Sequence, residues 1–296
     1  MKNISKVVIP VAGLGTRMLP ATKAIPKEML PIVNKPIIQY IVEEAIYAGF
    51  KEIILVTHSS KNSIEDHFDR SFELEAILEK KVKRSLLKEI RAISKLNISI
   101  QSVRQLEAKG LGHAILCANR LIGKEPFAVI LPDMLISNDN GNAGDSFKEM
   151  RLNFERQEIP SVLLGRAKKA DIPKYGIAQI KKHSKLSGLG LIEKIIEKPS
   201  IKKAPSNLYA AGRYIFNNDF FKYLSKVKPD KSNEIQLTDA IDDYIKDKNI
   251  VNAFSLKGDI FDCGDIEQYI LANLEFAMKE PSMKTQIKNY LKTRQF

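Results

Sequence analysis

The chain has 296 residues, 44% of them hydrophobic and 28% charged, enough for one large domain or two small ones. No apolar run approaches the roughly 20 residues that span a bilayer, and two cysteines, Cys117 and Cys263, make neither a disulfide framework nor a metal site. A formal charge of +12 admits nucleic acid or small polyanions as partners. The basic pairs, such as Lys80-Lys81, Lys168-Lys169 and Lys202-Lys203, are scattered, and neither zinc-finger spacing nor an aromatic RNA-binding motif occurs. Small polyanions are therefore favoured, with no nucleic acid and no membrane. The run after Lys2 and Lys6 imitates a secretion signal, but Arg17, Lys23 and Lys27 follow without a cleavage site. A cytoplasmic location is expected.

In chain order, the first predicted element is a strand over residues 7–11. It empties into a long loop, Ala12-Gly13-Leu14-Gly15-Thr16-Arg17, that continues through Pro26-Lys27-Glu28-Met29-Leu30-Pro31. Gly13 and Gly15 permit positive φ and close backbone approach to a ligand. Exposed N–H groups in such a turn form a nest for phosphate, and Arg17 and Lys27 add fixed positive charge beside it. The loop lacks the Gly-x-x-x-x-Gly-Lys spacing of a Walker motif. It also fails the dinucleotide fingerprint, because position 18 is Met and Pro20, Pro26 and Pro31 forbid an ordinary helix after the strand.

A helix is predicted over 36–48, with Gly49 as its stop, and a second apolar strand over 53–57. Residues 61–95 read as a charged helical insertion in three pieces, over 63–68, 72–80 and 82–95, lying over one edge of the sheet. A strand over 98–103, a helix over 113–121 and a strand over 127–131 follow. Gln105, between the first two of these, offers an amide that can pair with a base edge. The strand over 127–131 is apolar on both faces, as a buried parallel strand requires. Asp133 stands right after it, where ligands bind in open α/β sheets, and is a candidate metal ligand.

The second half begins with a helix over 145–158 and a strand over 161–167. A hairpin of strands over 177–181 and 192–196 is joined by a turn at 184–190. Gly176, just before it, gives backbone access to a sugar. Glu197 and Lys198 close the hairpin; they point to opposite faces of a strand, but Pro199 ends it, so both are candidates for the cleft, Lys198 for a monophosphate and Glu197 for sugar hydroxyls. A strand over 208–216, helices over 219–226 and 237–246, and a strand over 250–255 with a turn at 258–259 precede C-terminal helices over 266–279 and 283–292. Asp262 is either a second metal acid or the cap of the helix that follows; Asp265 fits the cap better, because Ile266 opens the helical pattern. The four histidines, His58, His67, His113 and His183, form no pair at metal spacing, and no Ser/His/Asp or Cys/His set occurs. A phosphate monoester is already an anionic nucleophile, so transfer to it needs alignment and charge neutralisation rather than a base.

Gly13-Leu14-Gly15-Thr16-Arg17 with Pro26-Lys27-Glu28-Met29-Leu30-Pro31 resembles the signature of the sugar-1-phosphate nucleotidyltransferases. Residues 20–33, Phe72-Glu73-Leu74-Glu75, Gln105 to His113, and Asn233-Glu234-Ile235-Gln236-Leu237-Thr238-Asp239 resemble its bacterial uridylyltransferase branch. The resemblance implies an α/β, Rossmann-like nucleotide-diphospho-sugar transferase fold with a mixed, mostly parallel central sheet flanked by helices, forming a single domain over 1–296. It implies UTP and glucose 1-phosphate as substrates, UDP-glucose and pyrophosphate as products, Mg2+ as cofactor and a homo-oligomer, dimer or tetramer. By the same resemblance Ala12, Gly13, Gly15, Thr16, Arg17 and Lys27 hold the nucleotide phosphates, and Gln105 and Gly110 the base. Asp133 and Asp262 match the metal acids, Gly176 and Glu197 the sugar contacts, and Lys198 the sugar phosphate contact. A thymidylyl- or cytidylyltransferase and a non-catalytic nucleic-acid-binding relative are the alternatives, since Gln105 does not separate uracil from thymine.

Overall fold

The computed structural model describes residues 3–181 and 188–294. β1 (Lys6–Pro10) leads through the long loop and a short antiparallel pair, β2 (Pro31–Ile32) and β3 (Lys35–Pro36), into α1 (Ile37–Ala48). Gly49 ends α1 at φ 98, the left-handed conformation that stops a helix. β4 (Glu52–Thr57) follows, then the insertion helices α2 (Asn62–Phe68), α3 (Phe72–Lys80) and α4 (Arg84–Ser94). α2 buries Ile64 and Phe68, whereas α4 buries none of its residues fully and rests on the core through the partly buried Ile93.

β5 (Ser99–Arg104), α5 (Gly110–Cys117), α6 (Asn119–Ile122) and β6 (Phe127–Ile130) come next. The helix expected over 113–121 thus begins three residues early and breaks near Ala118. β7 (Met134–Ser137) was not anticipated; it starts one residue after Asp133. α7 (Asp145–Gln157), β8 (Ser161–Arg166), β9 (Ile177–Lys181), β10 (Gly190–Ile196) and β11 (Leu208–Phe216) continue the chain. The expected hairpin turn at 184–190 falls, over 184–187, outside the described residues, as does His183. α8 (Phe220–Leu224), α9 (Leu237–Lys246), β12 (Asn252–Ser255), β13 (Asp259–Asp262), α10 (Ile266–Lys279) and α11 (Pro281–Thr293) complete it.

Nine strands form the main sheet in the order β5-β4-β1-β6-β11-β8-β12-β10-β9. β5, β4, β1 and β6 are all parallel. Beyond β6 the pairs are antiparallel except β12 with β8. The sheet is therefore mixed, and mostly parallel only in its first half. β11 is the hinge of this change: one edge pairs with β8, and the other pairs first with β9 and then with β6.

Alternation along β1 explains the layering. Val7 and Ile9 face a core built with α1 and α7, whereas Val8 faces a second core built with α5, α8 and α9. Both faces of the sheet are thus covered, as the continuous apolar runs of β4 and β6 require. Among the described residues no helix is long and apolar enough to cross a membrane.

Candidate active site

The loop after β1 folds as three single turns of 3-10 helix, at Thr16–Met18, Ala21–Lys23 and Lys27–Met29. Gly15 takes φ 66, and its carbonyl accepts from Met18 N at 3.0 Å and from the Thr22 hydroxyl at 2.7 Å. Ala12 is buried, while Gly13 and Thr16 face solvent. Beneath the last turn Lys61 donates to Glu28 at 2.7 Å, and both are almost wholly buried. The polar character of a loop acid and a loop lysine gave no signal for this pair.

A two-stranded unit brings the acids together. β13 pairs antiparallel with β7, with Asp262 opposite Met134, so Asp262 lies beside Asp133. Cys263 N donates to the Asp133 carbonyl at 2.7 Å and locks the junction. Lys27 Nζ lies 2.5 Å from Asp133 Oδ2, and Arg17 grips Asp262 with two nitrogens at 3.2 and 3.4 Å. The cations of the loop and the acids of the strands therefore form one cluster of four. Asp265 instead caps α10, accepting from Glu267 N and Gln268 N.

The cluster shifts its members. Burial pushes the Asp133 carboxyl up, but Lys27 and Arg17 outweigh it and hold Asp133 below its usual range. Burial and the Asp133 charge push Asp262 up, against Arg17. Burial opposes charge on Lys27, yet Asp133 and Glu28 hold its ammonium above the ordinary value. A Cβ added to Gly264 would lie 3.1 Å from Asp262 Oδ1, 3.2 Å from Asp133 Oδ2 and 2.7 Å from Arg17 Nη2. Both carboxylates thus converge over a floor that only glycine leaves open. Two oxygen acids suit Mg2+, which is held by one or two carboxylates plus substrate phosphates; no larger group of metal-ligating side chains occurs among the described residues.

The cluster opens into a cleft of about 400 Å³ lined by Arg17, Asp133 and Asp262 together with Gly176, Glu197, Lys198 and Thr238. Lys198, past the end of β10, adopts φ 42, which turns it to the same cleft as Glu197 despite their being sequence neighbours. Its N–H donates to the Tyr175 carbonyl at 3.1 Å, and its Nζ lies 3.6 Å from Glu197 Oε1. Thr238, which residue-type reasoning did not single out, donates to Glu197 Oε2 at 3.0 Å. A larger cavity of about 590 Å³ shares Lys174 and Tyr175 with the cleft but contains neither Asp133 nor Asp262.

Gln105 lies outside this cleft lining. It is buried, with its amide nitrogen donating to the Gly110 carbonyl at 3.1 Å and lying 3.0 Å from His113 Nδ1. Gly110 takes φ 81, and an added Cβ there would lie 2.8 Å from Glu234 Cβ. Ile235 N donates to the Lys109 carbonyl and Gly112 N to the Ile235 carbonyl, both at 2.8 Å. The Gln105–His113 loop is thereby docked on the segment that leads into α9.

Comparison with known proteins decides the lineage. A family model described as nucleotidyl transferase matches residues 6–279. The chain belongs to the nucleotidyl transferase family. It is 48% identical over 289 residues to a UTP–glucose-1-phosphate uridylyltransferase of Haemophilus ducreyi, covering 97% of this chain and 98% of the relative. An Escherichia coli K12 protein of the same name is 48% identical over 291 residues, with 98% and 95% covered. Among solved structures, a UTP-bound UGPase from Acinetobacter baumannii superposes with a TM-score of 0.88 at 40% identity, covering 98% of this chain and 99% of that one. The nucleotidyl transferase fold is therefore that of this α/β chain.

Proposed function

We propose that this chain joins UTP and glucose 1-phosphate to give UDP-glucose and pyrophosphate, as one nucleotidyltransferase domain. The observation that carries the reading is the cleft lined by Arg17 and the paired acids together with Gly176, Glu197 and Lys198, with Lys27 held on Asp133. The full-length likeness to UTP–glucose-1-phosphate uridylyltransferases selects the substrates. Residues around the cleft are suited to two phosphorylated ligands, and none forms a nucleophile–base pair.

In this mechanism a phosphate oxygen of glucose 1-phosphate attacks the α-phosphorus of UTP. The bond from that phosphorus to the β-phosphate bridging oxygen breaks, and pyrophosphate leaves in line. Arg17 and Lys27 exchange their carboxylate partners for β- and γ-phosphate oxygens and offset the charge on the leaving group. Lys198 binds the attacking phosphate and keeps the two polyanions close despite their repulsion. Glu197 and the Gly176 backbone orient the glucose ring, while Gln105 and Gly110 border the base. Asp133 and Asp262 would hold Mg2+, which supplies Lewis-acid neutralisation of phosphate charge. No covalent intermediate is required.

The test is pyrophosphate release across a matrix of nucleoside triphosphates and sugar 1-phosphates, with and without Mg2+. UTP with glucose 1-phosphate and Mg2+ is expected to give the highest kcat/KM. A clear preference for dTTP or CTP, or binding of nucleic acid without turnover, overturns the proposal. A dimer or tetramer in solution is the accompanying expectation, read by light scattering.

A further inference from the structure

Glu197 has one carboxylate oxygen held and one offered. Thr238 Oγ1 donates to Oε2 at 3.0 Å, and the other oxygen has Lys198 Nζ at 3.6 Å, beyond a hydrogen bond. Thr238 itself is 5% exposed and cannot rotate freely. A Cβ added to Gly176 would stand 2.6 Å from Thr238 Cγ2 and 3.1 Å from Glu197 Oε2, so the threonine methyl and the carboxylate close around the bare glycine backbone. The methyl fixes a β-branched side chain whose χ1 is already stiff, and the hydroxyl is left aimed at the carboxylate.

The backbone behind it is equally constrained. Asp242 lies four residues along α9, on the same helix face. Its Oδ1 accepts from Ile195 N of β10 at 3.2 Å. The face of α9 thus grips the end of β10 twice, at Ile195 and at Glu197. Other charged or titratable groups around Glu197 are Lys198 on its own segment, Asp239 on α9 and Tyr214 on β11.

We infer that Thr238 is a positioning residue: its hydroxyl fixes the Glu197 carboxylate so that the remaining oxygen meets one sugar hydroxyl, and this sets how strictly the cleft separates sugar epimers. The inference rests on the proposed reaction for the identity of the ligand, but not for the contact itself. A buried acceptor held in one place rejects an epimer because the wrong hydroxyl leaves it unpaired. A carboxylate free to swing pays ordering entropy for either sugar and separates them less.

The experiment compares Thr238→Val, which keeps the shape and removes the donor, with Thr238→Ser, which keeps the donor. Parental turnover of UTP with glucose 1-phosphate is recorded first and tests the proposed reaction by itself. The variants are then read on whichever sugar 1-phosphate the parent uses best, and on galactose 1-phosphate as the epimeric probe. Thr238→Val is expected to raise the sugar phosphate KM about tenfold, the loss of one hydrogen bond to a charged group. The KM for the nucleotide is expected to stay within about twofold of the parent, since only the sugar contact is loosened. The preference over the epimer is expected to fall. Removing a donor raises a carboxylate's pKa, so the acidic limb of kcat/KM moves to higher pH, while Thr238→Ser restores the parental profile. In a Glu197→Gln background Thr238→Val is expected to have little further effect. If Thr238→Val does not fold, Thr238→Ala takes its place. Unchanged sugar phosphate KM, epimer preference and acidic limb, or equal losses for both substrates, overturn the assignment.

Discussion

Replacing Lys27 by Met isolates the contact between the loop after β1 and the paired acids. Lys27 Nζ sits 2.5 Å from Asp133 Oδ2, with side-chain exposures of 16% and 19%. Removing the cation leaves Asp133 and Asp262 side by side with Arg17 alone to offset them. A fully enclosed pair broken in this way costs about 3–5 kcal/mol; with some water still reaching both groups, about 2–3 kcal/mol at neutral pH is the expected loss. That corresponds to a melting midpoint lower by on the order of 5 °C. The pH dependence gives a second reading. In the parent, Asp133 lies below its ordinary value, so its stabilising contribution is complete above about pH 4 and is lost as pH falls through the depressed folded value. In Lys27→Met, burial and the Asp262 charge push Asp133 up instead. Its penalty is then full at neutral pH and fades as the carboxyl protonates, so the gap between variant and parent narrows on acidification. Thermal or urea unfolding at pH 7 and pH 4.5 measures this directly. Millimolar Mg2+ is expected to raise the variant's midpoint more than the parent's, because a second cation replaces the missing charge. Equal stability at pH 7, or a gap that stays constant on acidification, refutes the electrostatic reasoning.

Asp133→Asn is expected to reduce Mg2+-supported pyrophosphate release by about 100-fold or more, the scale of losing a charge-stabilising group at a reacting centre; a near-parental rate removes Asp133 from the reaction. Lys198→Ala is expected to raise the KM for glucose 1-phosphate by about 100-fold through loss of a charge-assisted contact, with the KM for UTP nearly unchanged; matched losses for both substrates count against its role. Arg213 and Glu44, 0% and 2% exposed and paired at 2.5 Å, join β11 to α1 away from the cleft. Arg213→Met is expected to cost about 3–5 kcal/mol in urea unfolding, and adding Glu44→Leu to recover much of it. A neutral Arg213→Met, or a double variant no better than the single, shows that the pair is not the buried charge couple its geometry describes.

Several parts of the site were legible because their signal is local. A carboxylate after a fully apolar strand singled out Asp133, glycines with Arg and Lys in a proline-broken loop singled out the segment whose Arg17 and Lys27 reach the two acids, and the onset of helical spacing at Ile266 assigned the cap to Asp265. The short strands β7 and β13 escaped, because four residues carry too little alternation to be recognised and their order comes from each other. The parallel first half and mixed second half of the sheet were legible from the alternation of strands with helices and from the hairpin, but the double pairing of β11 with β6 and β9 along one edge was not: β11 is buried along its whole length, so its pattern carries no strand direction. Gln105 is held by partners that residue type does not reveal: its amide donates to the Gly110 carbonyl and lies 3.0 Å from His113 Nδ1.

The sequence by itself determined the chemistry that is present: a glycine-bearing loop with two cations, two acids, and a lysine–glutamate pair at a strand end. Only the tertiary structure decided how these meet. Arg17 and Asp262 are 245 residues apart, Lys27 and Asp133 are 106 apart, and Glu197 and Thr238 are 41 apart. Residue type and spacing record what each segment wants to bury or expose over a few turns. Which distant segments close on one another is set by the cooperative packing of both faces of the sheet, and it is that packing which places a threonine hydroxyl against a glutamate and two acids over a glycine.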